Sequence, residues 1–129
     1  MIDILIVDDD VHTRAILRIV LTAQGYTVAE ADNGETGLVM VVTQPVRVVV
    51  ADLHMPRMDG VTFAQRLRVL PFTHIPHLII MSASVPAHLI DVGQCATLRK
   101  PFDADDLVAI ITELLRQASD HGAEERWAG

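Results

Sequence analysis

The sequence predicts an α/β chain, a doubly wound (βα)5 domain around a five-stranded parallel sheet. Three observations predict it. Short, uniformly apolar runs alternate with segments whose apolar residues recur at helical spacing. The runs are too apolar to keep a solvent face, as in "VVV" at 48–50, which marks strands covered on both sides. The chain has 129 residues, half of them hydrophobic, enough for one core in one domain.

Each element has its own signal. "ILIV" (4–7) is the first strand. "RAILRIVLTAQG" (14–25) is the first helix, with Ile16, Leu17, Val20 and Leu21 on one face, Asp10 as N-cap and Gly25 at its C-terminal end. "YTVAEA" (26–31) is the second strand. "NGETGLVMVVTQ" (33–44) is a helix capped by Asn33 and ended by Pro45. "RVVVA" (47–51) is the third strand. Asp59 caps a helix over 60–70. "HLIIM" (77–81) and "ATLR" (96–99) are the fourth and fifth strands. In the last helix Leu107, Ile110, Ile111, Leu114 and Leu115 follow the i, i+3, i+4, i+7, i+8 pattern. Asp103 caps it, and Asp105 and Asp106 suit the positive end of its dipole. The domain is expected to span 1–118, with 119–129 a polar tail.

Composition removes several function classes. The net charge of −7 disfavours direct contact with nucleic-acid phosphates. Aromatics make up only 4%, so the core must be aliphatic. The single cysteine, Cys95, cannot form an internal disulfide and reads as a small core residue, in keeping with a reducing, cytoplasmic location. No stretch is long enough for a membrane span, and "MIDILIVDDD" lacks the basic region of a signal peptide.

In a doubly wound sheet, ligands bind at the carboxyl ends of the strands. Strand one ends in Asp8 and Asp9, strand three in Asp52, strand four in Ser82, and strand five in Lys100 followed by Pro101. If strands one and three are neighbours, three carboxylates converge. Such a cluster resists full ionisation unless a cation joins it. Mg²⁺ prefers oxygen ligands and often bridges carboxylates to a phosphoryl group. A nucleophilic carboxylate beside Mg²⁺, a lysine and a hydroxyl is a site for accepting phosphoryl groups.

The segments "ILIVDDD", "VVVADLHMPRMDG", "LIIMSA" and "LRKPF" resemble, in the same order, the signature segments of response-regulator receiver domains, the phosphoacceptor modules of two-component signalling. The similarity covers about residues 2 to 118. It implies a flavodoxin-like strand order of 2-1-3-4-5, an order that comes with the resemblance and is not read from the residues. It further implies that Asp52 is the phosphoacceptor and that Asp8, Asp9, Asp52 and the backbone carbonyl of His54 hold Mg²⁺. Ser82 takes the place of the switch hydroxyl and Lys100 that of the lysine contacting the phosphoryl group. The Lys100–Pro101 bond should be cis. His54 and Ser84 occupy positions that tune the lifetime of the phosphoryl group, although an exposed His54 without such a role reads equally well.

Plainer readings apply elsewhere. Asp10 is a helix cap rather than a ligand, and His12 a surface residue of the first helix. "THIPH" (73–77) is a solvated loop, since Pro76 excludes a helical zinc pair. Trp127 is either disordered or a docking contact.

Two features depart from the family. Three residues before Lys100, where many receivers carry Tyr or Phe, stands Thr97, so the usual coupling of hydroxyl to aromatic is not carried over intact. The stretch "SVPAHLIDVGQ" (84–94) has room for only about two helical turns, so a short or irregular fourth helix is expected there. The face formed by that helix, strand five and the fifth helix is where a partner is expected to bind.

The leading expectation is a receiver that takes a phosphoryl group from a histidine kinase or histidine phosphotransfer protein and signals to an unknown downstream protein. It would not be an enzyme beyond its self-catalysed phosphorylation and dephosphorylation. The alternative is a phosphorylation-independent binding module of receiver fold. A phosphohydrolase acting through an aspartyl-phosphate would need an acid/base Asp where His54 stands. An FMN carrier would need a glycine- and hydroxyl-rich loop where "VDDDVHTR" stands.

Overall fold

A computed structural model describes residues 1–70, 76–83 and 95–120. The five strands are β1 (Ile2–Val7), β2 (Val28–Ala31), β3 (Val46–Asp52), β4 (His77–Ser82) and β5 (Cys95–Arg99). Four helices lie among the described residues: α1 (Val11–Ala23), α2 (Gly34–Thr43), α3 (Gly60–Arg68) and α4 (Ala104–Asp120). The strands form one parallel sheet in the order β2-β1-β3-β4-β5, as expected. The short or irregular helix expected within 84–94 lies outside the described residues, as do Ser84, His74 and Trp127. Among the described residues, no helix is long and apolar enough to cross a membrane.

The valine run explains the layering. Successive side chains of a strand point to opposite faces. Val49 and Ala51 therefore join one core cluster with Leu5, Val7, Ile80, Phe63 and Leu67. Val48 and Val50 join the other, with Ile4, Ile6, Met81, Leu17, Leu21, Leu107 and Ile111. Thus α2 and α3 cover one face, and α1 and α4 the other. A fully buried aliphatic side chain is worth about 1.5–3 kcal/mol, and β3 places such residues on both faces. That central position sets its terminus, Asp52, in the middle of the sheet's carboxyl edge.

The helix starts follow the capping signals. Asp10 accepts from the His12 amide at 3.0 Å, Asn33 from Thr36 at 2.9 Å and Asp59 from Thr62 at 2.8 Å. Each such cap contributes about 1 kcal/mol. At α4 the bond runs the other way, with the Asp103 amide donating to Asp106 Oδ2 at 3.1 Å. The end of α1 is a Schellman turn, in which Gly25 (φ +94°) donates to Thr22 O at 2.9 Å and Tyr26 to Leu21 O at 3.3 Å.

Two expectations need correction. Ile16 does not lie on the buried face of α1. It is 59% exposed, because the core stripe is Leu17 and Leu21; Ile16 flanks that stripe and lines a shallow surface pocket with Thr13, Phe102 and Ala104. His77, read both as the end of the 73–77 loop and as the start of the 77–81 strand, takes the strand position and is half-buried at the start of β4. Helix α4 runs through Asp120. Cys95 is half-buried against the α2–α3 side of the core, where burial pushes its thiol pKa up.

Candidate functional site

Parallel register brings the site together. Val7 pairs with Ala51, so the next residues on each strand, Asp8 and Asp52, emerge side by side. Asp52 pairs with Met81 and Ser82 with Arg99, which sets Ser82 and Lys100 at the same edge. Carboxylate oxygens of Asp8, Asp9 and Asp52 all lie within 4.8 Å of one another. Lys100 Nζ is 3.3 Å from Asp52 Oδ1. The Lys100–Pro101 bond is cis, and the Lys100 amide donates to Ser82 O at 2.8 Å. Asp8 and Ser82 are each 1% exposed and Asp52 8%, whereas Asp9 is exposed.

The electrostatics centre on Asp8. Its pKa is pushed from 3.8 to about 6. Burial is the largest cause, and the nearby charges of Asp52 and Asp9 add to it; the hydrogen bond from the Asp10 amide and the charge of Lys100 pull the other way. Asp8 Oδ1 accepts from that amide at 2.9 Å. Asp8 Oδ2 is buried and has no hydrogen-bond partner. A buried carboxylate oxygen without a partner is costly. The donor set is entirely carboxylate oxygen, so a hard cation such as Mg²⁺ fits it, relieving both the mutual repulsion and the unpartnered oxygen.

The segment after Asp52 is folded tightly back. The Leu53 amide donates to Met81 O at 2.9 Å and the Gly60 amide to Leu53 O at 2.7 Å. Between them, Arg57 sits at φ 68° and the Met58 amide donates to Pro56 O at 2.7 Å. This is a γ-turn on a non-glycine residue, a sparsely populated conformation. Buried Met55 and Met58 anchor the loop in the core. His54, between them and Asp52, is exposed, and its amide makes a long 3.5 Å contact with Asp52 Oδ1.

Of the residues singled out in sequence, Asp8, Asp9, Asp52, Ser82 and Lys100 gather at one edge, with His54 on the adjoining loop. Thr97 does not join them. It is exposed on β5, opposite Ile80. Asp10 is a cap: its carboxyl pKa is lowered, first by the Thr13 hydroxyl (2.8 Å) and then by the His12 amide.

One residue at the site was missed. Arg14 Nη1 donates to the backbone carbonyl of Asp8 at 2.7 Å, while its Nε pairs with Glu30 Oε1 at 3.2 Å. The available signal was its position: an arginine near a helix N-terminus opposes the helix dipole and must be held by something else.

The comparisons with known proteins agree with this geometry. The family model of the response regulator receiver domain matches residues 4–112. A probable chemotaxis protein CheY of Rhizobium etli is 36% identical over 115 residues, covering 85% of this chain and 89% of that protein. The transcriptional regulatory protein GlrR of Escherichia coli is 34% identical over 128 residues, which are 96% of this chain but only 28% of that larger protein. A solved structure of a probable two-component system response regulator/GGDEF domain protein superposes with a TM-score of 0.83 at 26% identity, over 92% of this chain and 51% of that one. Motif order, sheet order and buried carboxylates thus lead to the same place as the family match, and this chain belongs to the response regulator receiver domain family.

Proposed function

We propose that the chain is the phosphoacceptor of a two-component phosphorelay, with Asp52 as the accepting residue. The observation that carries this is the Asp52 carboxylate itself: buried at the end of β3, 3.3 Å from the Lys100 ammonium, and grouped with Asp8 and Asp9. The donor is a phosphohistidine on a histidine kinase or histidine phosphotransfer protein. An Asp52 carboxylate oxygen attacks its phosphorus, the P–N bond breaks, and the electron pair returns to the imidazole. The product is an acyl phosphate on Asp52. Hydrolysis later restores the carboxylate and releases inorganic phosphate.

Asp8, Asp9, Asp52 and the backbone carbonyl of His54 would hold Mg²⁺. When bound, the ion supplies positive charge against the phosphoryl oxygens. Lys100 offers its ammonium to a phosphoryl oxygen, and Ser82 its hydroxyl. The His54 side chain, exposed beside Asp52, is placed to affect access of the hydrolytic water. The chain turns over no external substrate in this reading. It acts in the cytoplasm and passes its state to a partner protein through the face around β5 and α4.

A second reading, a binding module not switched by phosphorylation, is favoured by Thr97, which leaves the switch hydroxyl without the family's aromatic partner. Incubation with a small-molecule phosphodonor, with and without Mg²⁺, separates the two by intact mass. The acceptor reading expects a Mg²⁺-dependent gain of one phosphoryl group that Asp52→Asn abolishes. An unlabelled chain under conditions that label another receiver domain would favour the unswitched module.

A further inference from the structure

We infer that Arg14 is a positioning residue for the metal-binding carboxylates, acting through the peptide plane between Asp8 and Asp9; the inference rests on the acceptor reading above. The Asp8 backbone is held from both sides. Its amide donates to Ala31 O at 3.1 Å, and its carbonyl accepts from Arg14 Nη1 at 2.7 Å. The peptide unit is rigid and planar, so fixing the Asp8 oxygen also fixes the Asp9 nitrogen and the direction in which Asp9 leaves the strand. Asp8 is buried and is held by packing as well. Asp9 is exposed and is not, so the orientation of that peptide is what aims its carboxylate toward Asp8 and Asp52.

Arg14 is itself held. Its side chain is only 15% exposed, and Glu30 Oε1 pairs with its Nε at 3.2 Å. The other oxygen of Glu30 pairs with Arg18 Nη1 at 2.9 Å. Glu30 lies opposite Ile6 in the register of β2 with β1, so it approaches the guanidinium from the neighbouring strand. The chain of contacts is therefore Arg18, Glu30, Arg14, then the Asp8 carbonyl. Arg14 and Arg18 share one carboxylate, but only Arg14 touches the site. A planar guanidinium, donating from Nε to one group and from Nη1 to another, suits that double task, which a lysine ammonium performs less well.

That asymmetry supplies the test. Mg²⁺ is titrated into the unphosphorylated chain and followed by amide shifts of Asp9 and Asp10, with thermal unfolding measured alongside. Arg14→Ala and Arg14→Lys are compared with Arg18→Ala. Loss of a partner that orients a metal ligand typically weakens binding by about 10–100-fold. Arg14→Ala should therefore weaken Mg²⁺ by about ten-fold, with Arg14→Lys recovering part of the loss. Arg18→Ala should leave Mg²⁺ affinity unchanged while also lowering the unfolding temperature. Equal Mg²⁺ affinity in all variants would overturn the inference, and so would equal weakening in Arg14→Ala and Arg18→Ala, which would mark a general loss of stability. If the parent chain itself takes up no Mg²⁺, the metal reading fails first, and that outcome is seen before any variant is made.

Discussion

The two ends of the first strand carry the same residue type in opposite states. At the amino end, Asp3 is fully partnered: Oδ2 accepts from the Thr27 amide at 2.8 Å and Oδ1 faces Arg47 Nη1 at 3.5 Å. At the carboxyl end, Asp8 is more deeply buried, has two carboxylates for neighbours, and leaves Oδ2 without a partner. Asp3 ties two strands and a loop together and is structurally complete. Asp8 raises the free energy of the fold and is complete only when something else arrives. The contrast separates a carboxylate that the fold satisfies from one that it leaves unsatisfied, without reference to any relative. What distinguishes them is not burial alone but whether the groups around the carboxylate are positive or negative.

Exchanging the carboxylates for amides breaks this comparison most sharply. Asp8→Asn removes one of the repelling charges and gives the unpartnered position a donor. The sign follows from the raised pKa. The folded chain binds a proton at Asp8 more tightly than the unfolded chain, so this contribution to stability is full below about pH 4 and is lost as pH rises through about 6. At pH 7 the ionised group costs up to about 3 kcal/mol. In metal-free buffer Asp8→Asn should be more stable than the parent at pH 7 by up to that amount, with the difference vanishing near pH 4. Mg²⁺ should stabilise the parent and have little effect on the variant. Urea unfolding at the two pH values, each with and without Mg²⁺, reads all of this. An Asp8→Asn variant less stable than the parent at pH 7 would return Asp8 to the satisfied class.

Two glycines sharpen the same contrast through the backbone. A Cβ at Gly60 would stand 2.7 Å from Leu53 Cα and 2.9 Å from Asp52 O, both backbone atoms that cannot rotate away. A Cβ at Gly25 would meet nothing within 4 Å, but that residue has φ +94°. Gly60→Ala should cost about 1–3 kcal/mol by overpacking and should also displace Asp52, slowing phosphorylation. Gly25→Ala should cost about 1–2 kcal/mol from its left-handed backbone and leave phosphorylation unchanged. Denaturant midpoints and labelling rates for the pair test this; a labelling defect in Gly25→Ala would show that the two edges are coupled through the sheet.

The difference between the two ends was only half legible in the sequence. Strands, helix caps and the gathering of Asp8, Asp9, Asp52, Ser82 and Lys100 could be read, because apolar runs announce strands and their last residues share an edge. The strand order came from the resemblance to receiver domains rather than from the residues. Contacts made across the fold left no local trace. Arg14 and Glu30 are 16 positions apart, and Arg47 and Asp3 are 44 apart, so no periodicity links them. Ile16 was misplaced because a helical stripe predicted from spacing alone is broader than the strip α1 buries, which is Leu17 and Leu21. Asp3 itself, in an otherwise apolar strand, gave no sign of whether it was partnered.

The smallest expected effect lies at that partnered end. The Asp3 and Arg47 side chains are 22% and 28% exposed, and their separation of 3.5 Å is long for a charge-assisted bond. Such a pair contributes about 0.2–1 kcal/mol, less as salt rises. In Asp3→Asn the amide oxygen can still accept from Thr27, so the strand-to-loop tie survives and only the ionic part is lost. Stability should fall by about 0.5 kcal/mol at low salt, with the difference closing in high salt and Mg²⁺ affinity unchanged. A double-mutant cycle with Arg47→Met isolates the pair. A coupling several times larger than this, or a change in Mg²⁺ affinity, would mean that charge at the amino edge is felt at the carboxyl edge. A small, salt-sensitive coupling would confine the functional electrostatics to the end where carboxylates face one another.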